Sequence, residues 1–159
     1  MFVLSVKSRK IKLYACVFAG VCAVLLLATA ILSGSDKADS KSVWYNVSAK
    51  SAEERIAFAE QFGWSIEKTP VEVKNVVIPV EFNDVYKNYN DLQLSQGLDL
   101  TAFAGEQVSR FSYVITNYPG YPEGTDYIRL NILVHNGAVI GGDVCSVKLD
   151  GFMHGFEKE

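Results

Sequence analysis

The sequence predicts an α+β domain, two helices packed on an antiparallel sheet of four or five strands, preceded by one N-terminal transmembrane helix. Three observations carry this expectation. Residues 13–32 form an uncharged apolar run, LYACVFAGVCAVLLLATAIL. Apolar residues after Ser51, and again after Val80, recur three and four apart, as one face of a helix requires. Asn136-Gly137 stands between two alternating apolar runs, the pattern of a tight β-hairpin.

The apolar run is long enough to cross a bilayer as a helix, which takes roughly 20 residues. Lys7, Arg9, Lys10 and Lys12 precede it, and all 18 acidic residues follow it. The positive-inside rule then keeps residues 1–12 in the cytoplasm and places everything from Ser33 across the membrane. The alternative is secretion after cleavage near Ala30, because Ala28-Thr29-Ala30 has the small-x-small pattern of a signal-peptide site. The run continues through Ile31 and Leu32, which favours a retained anchor. Residues 33–48 read as a tether whose SGSDKADSK stretch is small and charged, and residues 49–159 as the extracytoplasmic domain.

Beyond the run, 11 basic residues face 18 acidic ones, a net of −7, which argues against a nucleic-acid partner. The expected partners are the membrane, through the one N-terminal helix, and an unidentified protein or envelope ligand. Cys16 and Cys22 fall inside the apolar run, so Cys145 is alone in the outer domain and has no partner there for a disulfide.

Within the domain, Ser51 and Glu54 form a capping-box pattern, Ile56, Phe58, Ala59 and Phe62 make an apolar face, and Gly63 ends the first helix. Residues 64–68 alternate and read as a strand, Thr69-Pro70 as a turn, and residues 71–80 as a second strand. The apolar phase moves from Val71 and Val73 to Val76 and Ile78, which predicts a turn or bulge near Lys74-Asn75. Phe82, Val85, Tyr86, Tyr89 and Leu92 predict a second helix over residues 80–96, closed by Gly97. Residues 98–105 are a connection. Residues 108–118 are a strand with Phe111, Tyr113 and Ile115 on one side, followed by the turn-rich NYPGYPEG loop of residues 117–124.

A two-residue turn at Asn136-Gly137 pairs His135 with Ala138 and carries the register on to Ile128 and Cys145. This puts Asp143 and Cys145 on the apolar face with Ile128, Leu130, Ile132 and Val134, and Arg129, Asn131 and Leu133 on the other. A carboxylate on an apolar face is costly unless bonded, so Asp143 is expected either to accept backbone N–H groups in a glycine-rich kink or to stand at the end of a cleft. A bulge at Gly141-Gly142 would turn Asp143 to the other face, but would also bring Lys148 inward and push Val147 and Leu149 out.

Cys145 is read as a structural thiol, because the register places His135 on the opposite face and far along the strand. A thiol or hydrolytic enzyme would need Cys145, His154 and Asp143 gathered at one end of the sheet. Tyr118 and Tyr121 are candidate binding residues on a turn-rich loop; the competing reading folds them back over the sheet edge. No cofactor and no metal are expected, because the histidines and Cys145 lack ligand spacing and no glycine-rich loop opens a helix.

Several clusters together resemble a known family: Phe62-Gly63-Trp64, Ile78-Pro79, Tyr89-Asn90-Asp91-Leu92-Gln93, Gln96-Gly97-Leu98-Asp99-Leu100, Asn117-Tyr118-Pro119, Gly141-Gly142-Asp143-Val144-Cys145-Ser146 and Leu149-Asp150-Gly151-Phe152-Met153-His154-Gly155. They resemble the bacterial domain of unknown function 4830. The resemblance implies a small membrane-anchored or exported bacterial protein of Gram-positive type, and carries no activity or site residues with it. The function expected from the residues is a non-enzymatic binding or interaction module held near the membrane, with the thiol enzyme or hydrolase as the alternative.

Overall fold

The structure, a computed structural model, describes residues 43–122 and 124–158. The basic segment, the apolar run and the first part of the tether lie outside the described residues. Among those described, no helix is long and apolar enough to cross a membrane.

Five antiparallel strands form one sheet in sequence order: β1 (Glu72–Val77), β2 (Gln107–Val114), β3 (Ile128–His135), β4 (Ala138–Ser146) and β5 (Met153–His154). Helix α1 (Ala52–Glu60) starts at the capping box, with Ser51 accepting from the Glu54 N–H and Glu54 accepting from the Ser51 N–H. Helix α2 (Asp84–Ser95) starts four residues later than periodicity implies, because Asn83 caps it by accepting from the Tyr86 N–H. The connection after it contains a short 3₁₀ turn, Leu100–Phe103.

The two helices serve opposite faces of the sheet. Phe58, Ala59 and Phe62 of α1 pack with Trp64, Tyr113, Leu130, Ile132 and Phe156 in the main core. Tyr86 and Tyr89 of α2 pack against Ile78, Leu100, Val108, Leu133 and Ile140 in a smaller core on the other side. Residues 43–48, read in the sequence as the end of the tether, belong to the fold. Tyr45 is buried, Ser48 bridges Ala138, and the Val47 carbonyl accepts from the Val139 N–H at 2.7 Å.

Two sequence expectations on the N-terminal side need correction. Residues 64–68 make one bridge, Ile66 to Ile115, and no strand. No bulge interrupts β1, which runs in regular register from Glu72 opposite Ser112 to Val77 opposite Gln107. The valines shift phase because β1 is an edge strand, where Val71, Val73 and Val77 stay exposed, Val76 is half-buried against the smaller core, and Ile78, just past the strand's end, is fully buried in it.

The hairpin forms as its turn dictates, with Asn136 and Gly137 at φ 49° and 78° and His135 opposite Ala138. The register then shifts: Val134 faces Val139 but Leu133 faces Gly141, so Ile140 is an extra residue. From there to the end of β4 every side chain changes face relative to the simple register. Val147 and Leu149 do turn outward, 54% and 95% exposed. Lys148 is not drawn in, because β4 ends at Ser146, and its ammonium lies over the Tyr127 ring at 4.1 Å.

On the side away from β3, Gly142 has no strand neighbour, since β5 pairs only with Val144 and Cys145. Two glutamines of the α2 region take its place. Gln93 Oε1 accepts from the Gly142 N–H at 2.8 Å, and Gln96 Nε2 donates to the Gly142 carbonyl at 3.2 Å. Gln93 is fully buried, a polar side chain retained because it satisfies a backbone group that the ladder leaves open.

Candidate functional site

The bulge assembles a polar surface on the α2 side of the sheet. Glu72, Ser112, Asn131 and Asp143 stand directly opposite one another across four strands. One step along lie Lys74, Arg110, Leu133 and Gly141, and one step the other way Val114, Arg129, Cys145 and Met153. Residues two apart on a strand share a face, so these rows form one patch. Helix α2 covers the end carrying Leu133 and Gly141, and the rest is an open groove of about 380 Å³ lined by Glu72, Arg110, Ser112, Arg129, Asn131 and Cys145, among others.

The central row is chained by hydrogen bonds. The Ser112 hydroxyl donates to Asn131 Oδ1 at 2.6 Å, and Asn131 Nδ2 donates to Asp143 Oδ2 at 2.8 Å. The Tyr89 hydroxyl, from α2, donates to the other Asp143 oxygen at 3.0 Å. Asp143 is therefore buried, 3% exposed, beneath the helix and behind Asn131, with both oxygens bonded. Its partners are side chains from β3 and α2 and not the backbone of a glycine kink. Burial raises its pKa above the ordinary carboxylate range, and the bonds from Asn131 and Tyr89 oppose that rise without cancelling it. The Tyr89 phenol is pushed far up by burial and by the adjacent carboxylate, so it acts as a donor.

Two arginines flank this row. Arg110 bonds Glu72 through Nη2, and Arg129 bonds Asp126 through Nη2 at 3.2 Å. Of their other donor nitrogens, Arg110 Nε and Arg129 Nη1 are buried without an acceptor among the described residues.

The model of the family described as Domain of unknown function (DUF4830) matches residues 58–144, from within α1 to Val144. The chain belongs to this family. No curated protein and no solved structure matches it. The matched stretch of this DUF4830 chain includes Glu72, Tyr89, Arg110, Arg129, Asn131 and Asp143, and stops one residue before Cys145.

The fold distributes the residues singled out from the sequence over both faces. Asp143 and Cys145 share the groove face with Asn131 and Arg129, which corrects their expected place beside Ile132. His135 is thus on the same face as Cys145, though at the far end of β3, where its ring lies 5.5 Å from that of Phe103. His154 is opposite Val144, on the main-core face, with Nδ1 at 2.7 Å from its neighbour Gly155's carbonyl and Nε2 at 3.0 Å from the Tyr118 hydroxyl. The two ring nitrogens are engaged there, and the thiol of Cys145 points to the other side of the sheet.

Cys145 Sγ is half-buried and within 3.4 Å of Asn131 Nδ2. Burial, then the Asp143 carboxylate, push its pKa up to about 11, the opposite of what a thiolate nucleophile needs. Tyr118 is stacked between Trp64 (5.3 Å between centroids, planes 2° apart) and Phe152 (5.1 Å), and Tyr121 meets it edge-on at 5.6 Å. The loop folds back on the sheet edge. Among the described residues no three His, Cys, Asp or Glu side chains gather as metal ligands would.

The arginines and Asn131 were not singled out from the sequence. Their signal was the alternation Arg129, Asn131, Leu133 facing Gly141, Asp143, Cys145, readable only once β4 is shifted by one residue.

A pH test follows from Asp143. Because its folded pKa is raised, native Asp143 keeps its proton to a higher pH than the unfolded chain does, whose carboxylates titrate near about 3.9. Between those values the folded state binds more protons, so this residue's contribution favours folding at low pH and is lost as pH rises through the native value. Asp143→Asn is expected to remove that downward slope, seen as urea midpoints that no longer fall across the window relative to the parent. A parent and variant with parallel midpoints would show that Asp143 titrates normally.

Proposed function

We propose that this DUF4830 chain is a binding module, tethered by its N-terminal apolar run to the outer face of a membrane and engaging its ligand in the groove beside Asp143. The observation that supports this most is the construction of the groove. Four strands contribute polar side chains to one open, concave patch, and the inner end is locked by Tyr89 and Asn131 on a buried carboxylate. Such preorganised polar groups on rigid elements suit recognition, since little side-chain freedom is lost on binding. The extracytoplasmic setting rests on the sequence alone, on the four cations before the run and the acidic residues after it.

The test places a photo-crosslinking residue at Val147, an exposed position lining the groove, and separately at Val85, exposed on α2. With the full chain in intact cells, discrete adducts are expected at Val147 and not at Val85. The same adducts at both positions, or none at Val147, would remove the groove as the binding site.

A further inference from the structure

We propose that the groove recognises a carboxylate group, held between Arg110 and Arg129 over the Ser112–Asn131 floor; the inference rests on the groove being the binding site. The two arginines stand on adjacent strands, Arg110 opposite Leu133 and Arg129 opposite Val114, with the Ser112–Asn131 pair in the row between them. Each guanidinium has one buried N–H without an acceptor, Arg110 Nε and Arg129 Nη1. A buried unmet donor is disfavoured, and one on a cation more so. Both arginines line the groove, so a carboxylate bound there has a guanidinium on either side and two oxygens to accept from them.

Each arginine is already held by a carboxylate that is easily displaced. Glu72 is 36% exposed and Asp126 is 73% exposed. These rim residues hold the guanidiniums in place and leave a buried nitrogen of each unmet. An incoming carboxylate takes over from Glu72 and Asp126, draws the guanidiniums towards the groove and meets the unmet N–H groups. Released Asp126 returns to water at little cost, since pairs made by exposed carboxylates are worth little, and released Glu72 keeps its ion pair with Lys74 at 2.5 Å.

Phosphate fits the same arginines less well. Its second charge would face Glu72 in a domain that is already net acidic, whereas a carboxylate brings one charge and two oxygens. Arginine presents a planar fork to a carboxylate, so geometry as well as charge selects it.

The experiment uses the full chain with ¹⁵N-labelled arginine and follows the side-chain Nε–H signals during titration with N-acetylglycine, its neutral amide, and inorganic phosphate. The Arg110 and Arg129 signals are expected to move saturably with N-acetylglycine. The amide should bind at least about tenfold more weakly, since a charge-assisted hydrogen bond is about twice as strong as a neutral one. Arg55 is the internal reference, because it is bound to Tyr113 and the Ala49 carbonyl on the other face. Its signal should stay fixed, and its unchanged position in each variant reports an intact fold. Arg129→Gln should weaken binding about tenfold or more, and Arg129→Lys, which keeps the charge and loses the fork, by less.

If the amide binds as well as the acid, or phosphate binds more tightly, the carboxylate assignment is overturned while the groove remains a binding site. If no probe moves either signal, the assignment is overturned, and the adducts at Val147 decide the groove's role independently.

Discussion

Gly142→Ala is expected to destabilise the domain by about 4 kcal/mol, through backbone strain of about 1–3 kcal/mol and overpacking of similar size. Gly142 has φ 155°, and a Cβ built there would lie 2.2 Å from the Asn131 carbonyl oxygen and 2.7 Å from Phe156 Cζ. The first of these atoms is sheet backbone and cannot yield without breaking the β3–β4 ladder. Gly120→Ala separates the two contributions, because Gly120 also has positive φ, 78°, but nothing within 4 Å of a new Cβ. It should cost only the conformational part, about 1–2 kcal/mol. Urea denaturation of both variants measures the difference. Equal losses would mean that β4 can relax around the added methyl and that the bulge is not fixed by Gly142.

The second large effect is at Trp64, 2% exposed, stacked on Tyr118 and donating from Nε1 to the Phe156 carbonyl at 2.6 Å. Trp64→Ala should cost about 4 kcal/mol, as expected for truncating a buried indole. Because the ring is the platform for Tyr118 and, through Phe156, for the C-terminal segment, the variant should be cut by protease within residues 117–122 and 150–158 before the rest of the domain. Trp64→Phe keeps most of the buried area but leaves the Phe156 carbonyl without its donor, and should lose about 1–2 kcal/mol. If Trp64→Ala unfolds with no early cleavage at those sites, the ring is ordinary core and not the anchor of the two segments. Set against a typical domain stability of about 5–15 kcal/mol, both this substitution and Gly142→Ala bring the fold near its limit.

The two helices and the hairpin were legible because each is signalled by chemistry local to a few residues. Ser51 with Glu54 caps a helix whatever it packs against, and Asn136-Gly137 adopts positive φ whatever follows. The bulge was not legible. Ile140 is the extra residue, and the two positions after it, Gly141 and Gly142, carry no side chain from which a phase could be read.

The exposed Val147 and Leu149 looked like evidence against a bulge, since an apolar residue is expected inside. They are compatible with it because the strand stops at Ser146, before either residue. The site depended on that one undetermined step. Without it Asp143 is stranded in an apolar face, and with it Asp143 meets Tyr89 and Asn131, the latter lining the arginine-flanked groove. The valines of β1 misled for a related reason: an edge strand leaves apolar residues outside, which alternation alone reads as a change of phase.

The glutamine pair that completes β4 couples a helix to a strand more tightly than apolar packing would. The amide proton of Gly142 is bonded to Gln93 and not to a strand, so it can exchange with solvent only when the helix carrying that glutamine lifts away. Hydrogen exchange at this single amide would therefore time the opening of α2. Since α2 also carries Tyr89, the same clock would register how often the buried carboxylate at the back of the groove is uncovered.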